Sequence, residues 1–190
     1  MDFDKQAKAA LAGGEALANE IQAAIRDIVI SNAAGIERFH ERSDELTKVD
    51  YQYLFFYAVS LVLFFASSAE SWTEAEINSV IDRAAEDFVR VMRFRTADYG
   101  DPETKRPAIA LRLQGTFEDV RGNFRRIEEV GREEERSDAT FTLILMYLSQ
   151  VHPASLTLLT EGSVAVFSAL QRSFGLISIS AYRYVSDSAR

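Results

Sequence analysis

The chain has 190 residues, a formal net charge of -8 and no cysteine. This length fits one domain of ordinary size, and the lack of cysteine excludes disulfides, thiolate nucleophiles and cysteine metal sites. The acidic balance disfavours general binding to nucleic acid. Residues 1–15 lack the basic and apolar regions of a secretory signal, so we expect a cytoplasmic location.

Apolar residues in the segment 3–47 recur at helical spacings and predict one long alanine-rich helix or two collinear ones. Glycines interrupt this segment at Gly13, Gly14 and Gly35. Each glycine costs about 1 kcal/mol relative to alanine inside a helix. We therefore expect breaks or kinks near these positions.

The stretch from Tyr51 to Ala69 carries no charge, and its centre is apolar on every side of the helix that it predicts. Such a helix is a central bundle member, an oligomer interface or a membrane span. Its strongly apolar centre is shorter than the roughly 20 residues of a span. Asp50 and Glu70 close the stretch without the Lys or Arg anchors of spanning helices. The pattern favours a core or interface helix over a membrane span.

A helix start is the clearest local signal in the sequence. Thr73 and Glu76 have the spacing of a capping box, and Trp72 and Ile77 have that of a hydrophobic staple. These residues predict a helix from about residue 74 that ends before Gly100. Its predicted inner stripe is Ile77, Val80 or Ile81, Ala84, Phe88, and Val91 or Met92. The ion pairs expected on its outer face are Arg83–Asp87 and Glu86–Arg90.

Residues 98–107 hold two of the three prolines and form the predicted connection to the next helix. Pro107 suits the first turn of that helix, and Gly131 marks its end. Its apolar residues alternate at spacings of four and three, as in a coiled-coil seam: Leu113, Phe117, Val120, Phe124 and Ile127.

A second uncharged stretch begins at Ala139 and predicts another buried helix over 139–151, with a short further helix after Pro153. The segment 176–185 alternates like a strand, but no other segment offers a partner strand, so we interpret it as helix. Together these elements predict an all-α, single-domain bundle of six or seven helices, with 51–69 and 139–151 as its central apolar helices. Two helical halves, 1–97 and 107–190, are joined by the 98–107 connection.

No candidate metal site is complete. Glu37 and His40 form one Glu-x-x-His step, but the only other histidine, His152, has a serine three residues before it. A di-iron bundle needs the step twice. The acidic loop after Asp98 has Ile109 where an EF-hand requires glutamate. Phosphate-binding loops, nucleophile elbows and paired-histidine motifs are also missing from the sequence. We therefore predict no catalytic residue, cofactor or metal.

Residues 88–126 form the one basic block of the chain, and two glycines seven residues apart fall on the outward side of the helix after Pro107. Basic residues and outward glycines together predict a contact surface for an acidic or close-packed partner. The alternative is an ordinary solvated face. The candidate surface comprises Arg90, Arg93, Arg95, Lys105, Arg106, Gly115, Arg121, Gly122 and Arg125.

Aromatic residues of the two apolar helices could instead line a pocket for an apolar small molecule. The candidate residues are Tyr53, Tyr57, Phe64 and Tyr147, and plain core packing is the alternative. The sequence as a whole predicts a non-catalytic interaction or assembly subunit that is oligomeric. Its partner is then another copy of the chain or a different protein. The alternatives are a hydrophobic-ligand sensor or carrier and a membrane-active helical protein.

Overall fold

The structure, a computed structural model, describes residues 1–32, 51–95 and 102–129. These residues form four helices and no strand, so the all-α prediction is confirmed for this part of the chain. The helices are α1 (Phe3–Asn32), α2 (Tyr51–Ala69), α3 (Glu74–Arg95) and α4 (Pro102–Glu129). The predicted 139–151 helix and the 176–185 segment lie outside the described residues. The predicted total of six or seven helices therefore stays a prediction.

The described residues belong to two compact units. The first contains Met1–Ala16 together with the described parts of Phe56–Gly122. The second contains 17–32, 51–55 and 123–129. The predicted organisation as one domain with halves 1–97 and 107–190 stays a prediction.

Helix α2 is enclosed by apolar packing, as its sequence predicts. Leu61, Val62 and Leu63 are consecutive and all buried. Consecutive residues of a helix point about 100° apart, so burial of all three requires neighbours on several sides. Phe56 is also buried, and its ring stacks on that of Phe88 in α3 at a centroid distance of 4.9 Å. Across the described ranges, no helix combines the length and apolar character needed to cross a membrane.

Helix α1 continues through Gly13 and Gly14, so the break predicted there is wrong. A close contact with α2 explains why position 14 is a glycine. A Cβ placed on Gly14 would lie 2.4 Å from Cγ2 of Val59 and 3.0 Å from both the N and the Cα of that valine. Only glycine leaves room for the two backbones at this point. The third glycine of the segment, Gly35, lies outside the described residues.

The connection between α2 and α3 is built from two standard caps. Ser71 has a positive φ of 54°, and the N–H of Trp72 donates to the carbonyl oxygen of Ser67 at 3.0 Å. This is the geometry of a Schellman C-cap. The N–H of Thr73 then donates to Oε2 of Glu76 at 2.8 Å, and the N–H of Glu76 donates to Oγ1 of Thr73 at 3.4 Å. The predicted capping box is confirmed, and α3 begins at Glu74.

The inner stripe predicted for α3 is confirmed where its side chains are described, since Ile77, Val80, Ile81, Ala84 and Phe88 are buried. Two ion pairs are predicted on its outer face. The Glu86–Arg90 pair involves a side chain outside the described residues, and Arg83 has contacts other than the predicted Asp87. The guanidinium of Arg83 contacts Glu86, one turn along α3, and Asp4 of α1, each at 2.8 Å. These contacts raise the pKa of Arg83, and the more distant charge of Asp87 adds less. The exposed face of α3 therefore contacts α1 through the Arg83–Asp4 ion pair.

Helix α4 begins at Pro102 and not at the predicted Pro107. Both prolines suit a first helical turn, because the fixed φ is helical and the missing N–H has no partner there. Pro102 takes that position, and Pro107 lies inside the helix at the expense of one backbone hydrogen bond. The seam is confirmed at Leu113, Phe117 and Val120, which are buried.

Candidate interaction surface on helix α4

Helix α4 presents an outer face with an unusual surface. Leu111 is 72% exposed, although the seam leucine two positions further on is buried. Gly115 and Gly122 are exposed, and a Cβ on either would meet no described heavy atom within 4 Å. At about 100° per residue, these three positions fall within about 40° of one another around the helix. We call these three residues the α4 outer face. The leucine side chain projects into solvent, and the two glycines leave the helix backbone exposed beside it.

Charged residues surround Gly122 in a regular order. Glu118 and Asp119 precede the glycine, while Arg125 and Arg126 follow it. Asp119 and the two arginines are exposed, and the side chain of Glu118 is 41% exposed. An acidic pair therefore lies on one side of the glycine along the helix, and a basic pair lies on the other.

Arg121, a member of the predicted basic surface, has a different position. Its guanidinium donates to Oε2 of Glu74 at 2.8 Å and to Oε2 of Glu118 at 2.6 Å, and its side chain is only 19% exposed. The guanidinium carbon also lies 5.6 Å from the centroid of the Phe117 ring. The hydrogen bond to Glu74 is the main cause of the raised pKa of Arg121. Arg121 thus joins α4 to the first turn of α3, and its charge is compensated.

The other predicted basic residues are described only in part. Arg106 lies 3.9 Å from Oε2 of Glu86, on the side of α4 that meets α3. Lys105 is partly exposed. Arg90, Arg93 and Arg95 belong to the end of α3, where their side chains lie outside the described residues. From the predicted set, the structure places Gly115, Gly122 and Arg125 along the outer half of α4.

Sequence reasoning missed three residues of this region, Leu111, Glu118 and Asp119, and it named Arg126 in the basic block but not in the candidate surface. Leu111 could have been recognised because it falls outside the four-three seam while the other large apolar residues of α4 follow it. The charge order around Gly122 is visible in the letters EDVRGNFRR, in which the residues three and four positions before the glycine are acidic and those three and four positions after it are basic.

The predicted apolar pocket is described in part. Tyr57 and Phe64 of α2 are partly exposed as whole residues, but the phenol group of Tyr57 is itself buried, and this burial raises its pKa. Between them lies Ser60, which is fully buried, and its hydroxyl has no hydrogen-bond partner among the described residues. The side chain of Tyr53 and all of Tyr147 lie outside the described residues. The pocket stays a prediction.

The described ranges hold no group of three or more His, Asp or Glu residues that could bind a metal ion. The Glu37–His40 step lies outside them. Comparisons of the chain with protein-family models, with curated proteins and with solved structures gave no match. The α4 outer face is therefore the feature from which a function of this chain is inferred.

Proposed function

We propose that this protein is a non-catalytic interaction or assembly subunit that oligomerises, and that the α4 outer face is its contact surface. One observation carries the proposal: the solvent-exposed Leu111 shares a helix face with two glycines that have open space above them. In the described part of the chain, the only other exposed large apolar residue is Met1 at the start of the chain.

Two physical effects support a contact on this face. Full burial of a leucine side chain contributes roughly 1.5–3 kcal/mol, so covering the exposed part of Leu111 is worth about 1–2 kcal/mol. Glycines at the contact allow another backbone to approach more closely than side chains would permit. In a lone domain the same two glycines only weaken α4, by about 1 kcal/mol each relative to alanine. A partner that packs on this face would explain both the exposed leucine and the two glycines.

The test is the mass in solution, measured by light scattering without detergent over a range of protein concentrations. We expect a dimer or larger species that Leu111→Glu weakens. Lys8→Gln is the matched control, because it changes the net charge by the same amount at an exposed position of α1. A monomer at every concentration would overturn the proposed function. An oligomer that neither Leu111→Glu nor Gly122→Glu weakens would exclude the α4 outer face as its contact.

A second candidate function, a carrier or sensor of a hydrophobic ligand, is favoured by Ser60. A buried hydroxyl without a partner is costly, and a ligand atom could satisfy it. Ser60 lies one helical turn from both Tyr57 and Phe64. Titration with the apolar dye 1-anilinonaphthalene-8-sulfonate should then show one saturable site that Ser60→Phe blocks and Gly115→Ala leaves intact. Lack of saturable binding, or equal binding by the Ser60→Phe variant, would exclude this function.

A further inference from the structure

We propose that the partner of the α4 outer face is a second copy of this chain, and that the two α4 helices cross antiparallel at Gly122. This inference rests on the proposed function and names the partner. It follows from the order of charges around Gly122, which is complementary to itself when the helix is turned end to end.

The charged residues fall on two flanks of the glycine. At about 100° per residue, Glu118 and Arg125 lie about 40° and 60° to one side of Gly122, and Asp119 and Arg126 lie about 60° and 40° to the other. Along the axis, the acidic residues lie about 5 Å before the glycine and the basic residues about 5 Å after it. Each flank therefore carries one acid and one base at matching distances from Gly122.

A two-fold axis through the crossing point reverses the helix direction and keeps each flank on its own side. Glu118 of one copy then lies opposite Arg125 of the second copy, and Asp119 lies opposite Arg126. Symmetry repeats both contacts, which makes four ion pairs around one crossing. A parallel arrangement in the same register would place acid against acid and base against base.

The crossing point itself is suited to close approach. Gly122 has no side chain, and no described heavy atom lies within 4 Å of the position where its Cβ would be. The hydrogen bond that Glu118 accepts from Arg121 does not prevent the pairing, because a carboxylate has two oxygens with about four acceptor sites. Exposed ion pairs are individually weak, so the charges set the direction and register while apolar and backbone burial supply affinity.

Cross-linking tests the register directly. The chain contains no cysteine, so Gly122→Cys introduces its only thiol. An antiparallel crossing at residue 122 brings the two thiols together, and mild oxidation should give a disulfide-linked dimer. Gly115→Cys is the matched control, at another exposed and open glycine. Its two copies would lie about 21 Å apart along the axis, beyond the roughly 7 Å limit for a disulfide. No dimer with Gly122→Cys, or as much dimer with Gly115→Cys, would overturn the proposal.

Charge reversal tests the pairing without adding a thiol. We expect Asp119→Arg and Arg126→Asp each to weaken self-association about tenfold, because each converts two attractive pairs into two repulsive ones. An equimolar mixture of the two variants should restore association, since the mixed dimer contains only opposite charges at these positions. No recovery in the mixture would overturn the proposal. If the wild-type chain still forms oligomers in that case, the proposed function stands. A chain that is monomeric throughout contradicts both.

Discussion

Replacement of Gly14 by alanine tests a close contact between α1 and α2. The added Cβ would lie 2.4 Å from Cγ2 of Val59 and 3.0 Å from its N and Cα. Backbone atoms cannot rotate away, and a valine in a helix has one strongly preferred rotamer. The two helices must therefore move apart by several tenths of an ångström, at a place where Val59 and Ala10 are both buried.

The expected effect is the difference between two terms. Overpacking of a well-packed core costs about 1–3 kcal/mol, and the higher helix propensity of alanine offsets about 1 kcal/mol of that cost. We expect Gly14→Ala to lower the free energy of unfolding by about 1–2 kcal/mol. Gly115→Ala and Gly122→Ala are the controls at protein concentrations too low for self-association, because open space surrounds both glycines within one chain. These substitutions cause no overpacking, so only the higher helix propensity of alanine acts, and they should raise the free energy of unfolding by about 0.5–1 kcal/mol.

Urea unfolding followed by far-ultraviolet circular dichroism measures these differences, provided that the slope against urea is unchanged. A double-mutant cycle adds a second check. Val59→Ala removes the methyl group nearest to the new Cβ, so the double variant with Gly14→Ala should lose less stability than the two single variants together. If Gly14→Ala stabilises the protein as much as Gly115→Ala does, the close crossing of α1 and α2 is wrong.

Three further predictions concern α2 and its connection to α3. Ser71→Gly should raise the free energy of unfolding by about 0.5–1 kcal/mol in the same urea assay, because Ser71 has a φ of 54° that glycine adopts without strain; an unchanged value would contradict this. The pKa of Glu76 lies below its ordinary value, chiefly because its carboxylate accepts the N–H of Thr73. Its contribution to stability is therefore present above the unfolded pKa and is lost as the pH falls through the folded pKa. The advantage of the wild type over Glu76→Gln should accordingly shrink between neutral and strongly acidic pH, and an equal advantage at both would contradict the capping box. Ser60→Ala removes a buried hydroxyl that has no described partner and should leave stability unchanged or raise it by up to about 1 kcal/mol; a loss above about 1 kcal/mol would show that the hydroxyl has a partner.

Local features of this fold could be predicted because they depend on residues within one or two helical turns. Thr73 and Glu76 form their cap through atoms three residues apart, so their spacing is sufficient to place the start of α3. The periodic seam of α4 likewise identifies Leu113 and Phe117 as buried. The start of α4 was misplaced because Pro102 and Pro107 satisfy the same local rule.

The candidate surface was harder to predict, because residues of one type have different surroundings. Arg121 and Arg125 belong to the same basic block in the sequence, yet Glu74, which is 47 residues away, binds the guanidinium of Arg121. Arg125 is exposed. A contact over such a distance depends on how α3 and α4 pack, and no spacing along the chain reveals it.

The glycines show the same difference between what local sequence predicts and what tertiary packing decides. Apolar spacing predicts helices in the segments that form α1 and α4, because helix formation depends mainly on near neighbours, but it also predicts a break at Gly13 and Gly14 that α1 does not have. Apolar spacing places Gly115 and Gly122 on the outward side of α4, but only tertiary packing shows that the backbone of α2 occupies the space of a side chain at Gly14. The distinction depends on which distant residue lies opposite each glycine, and helix packing controls that position.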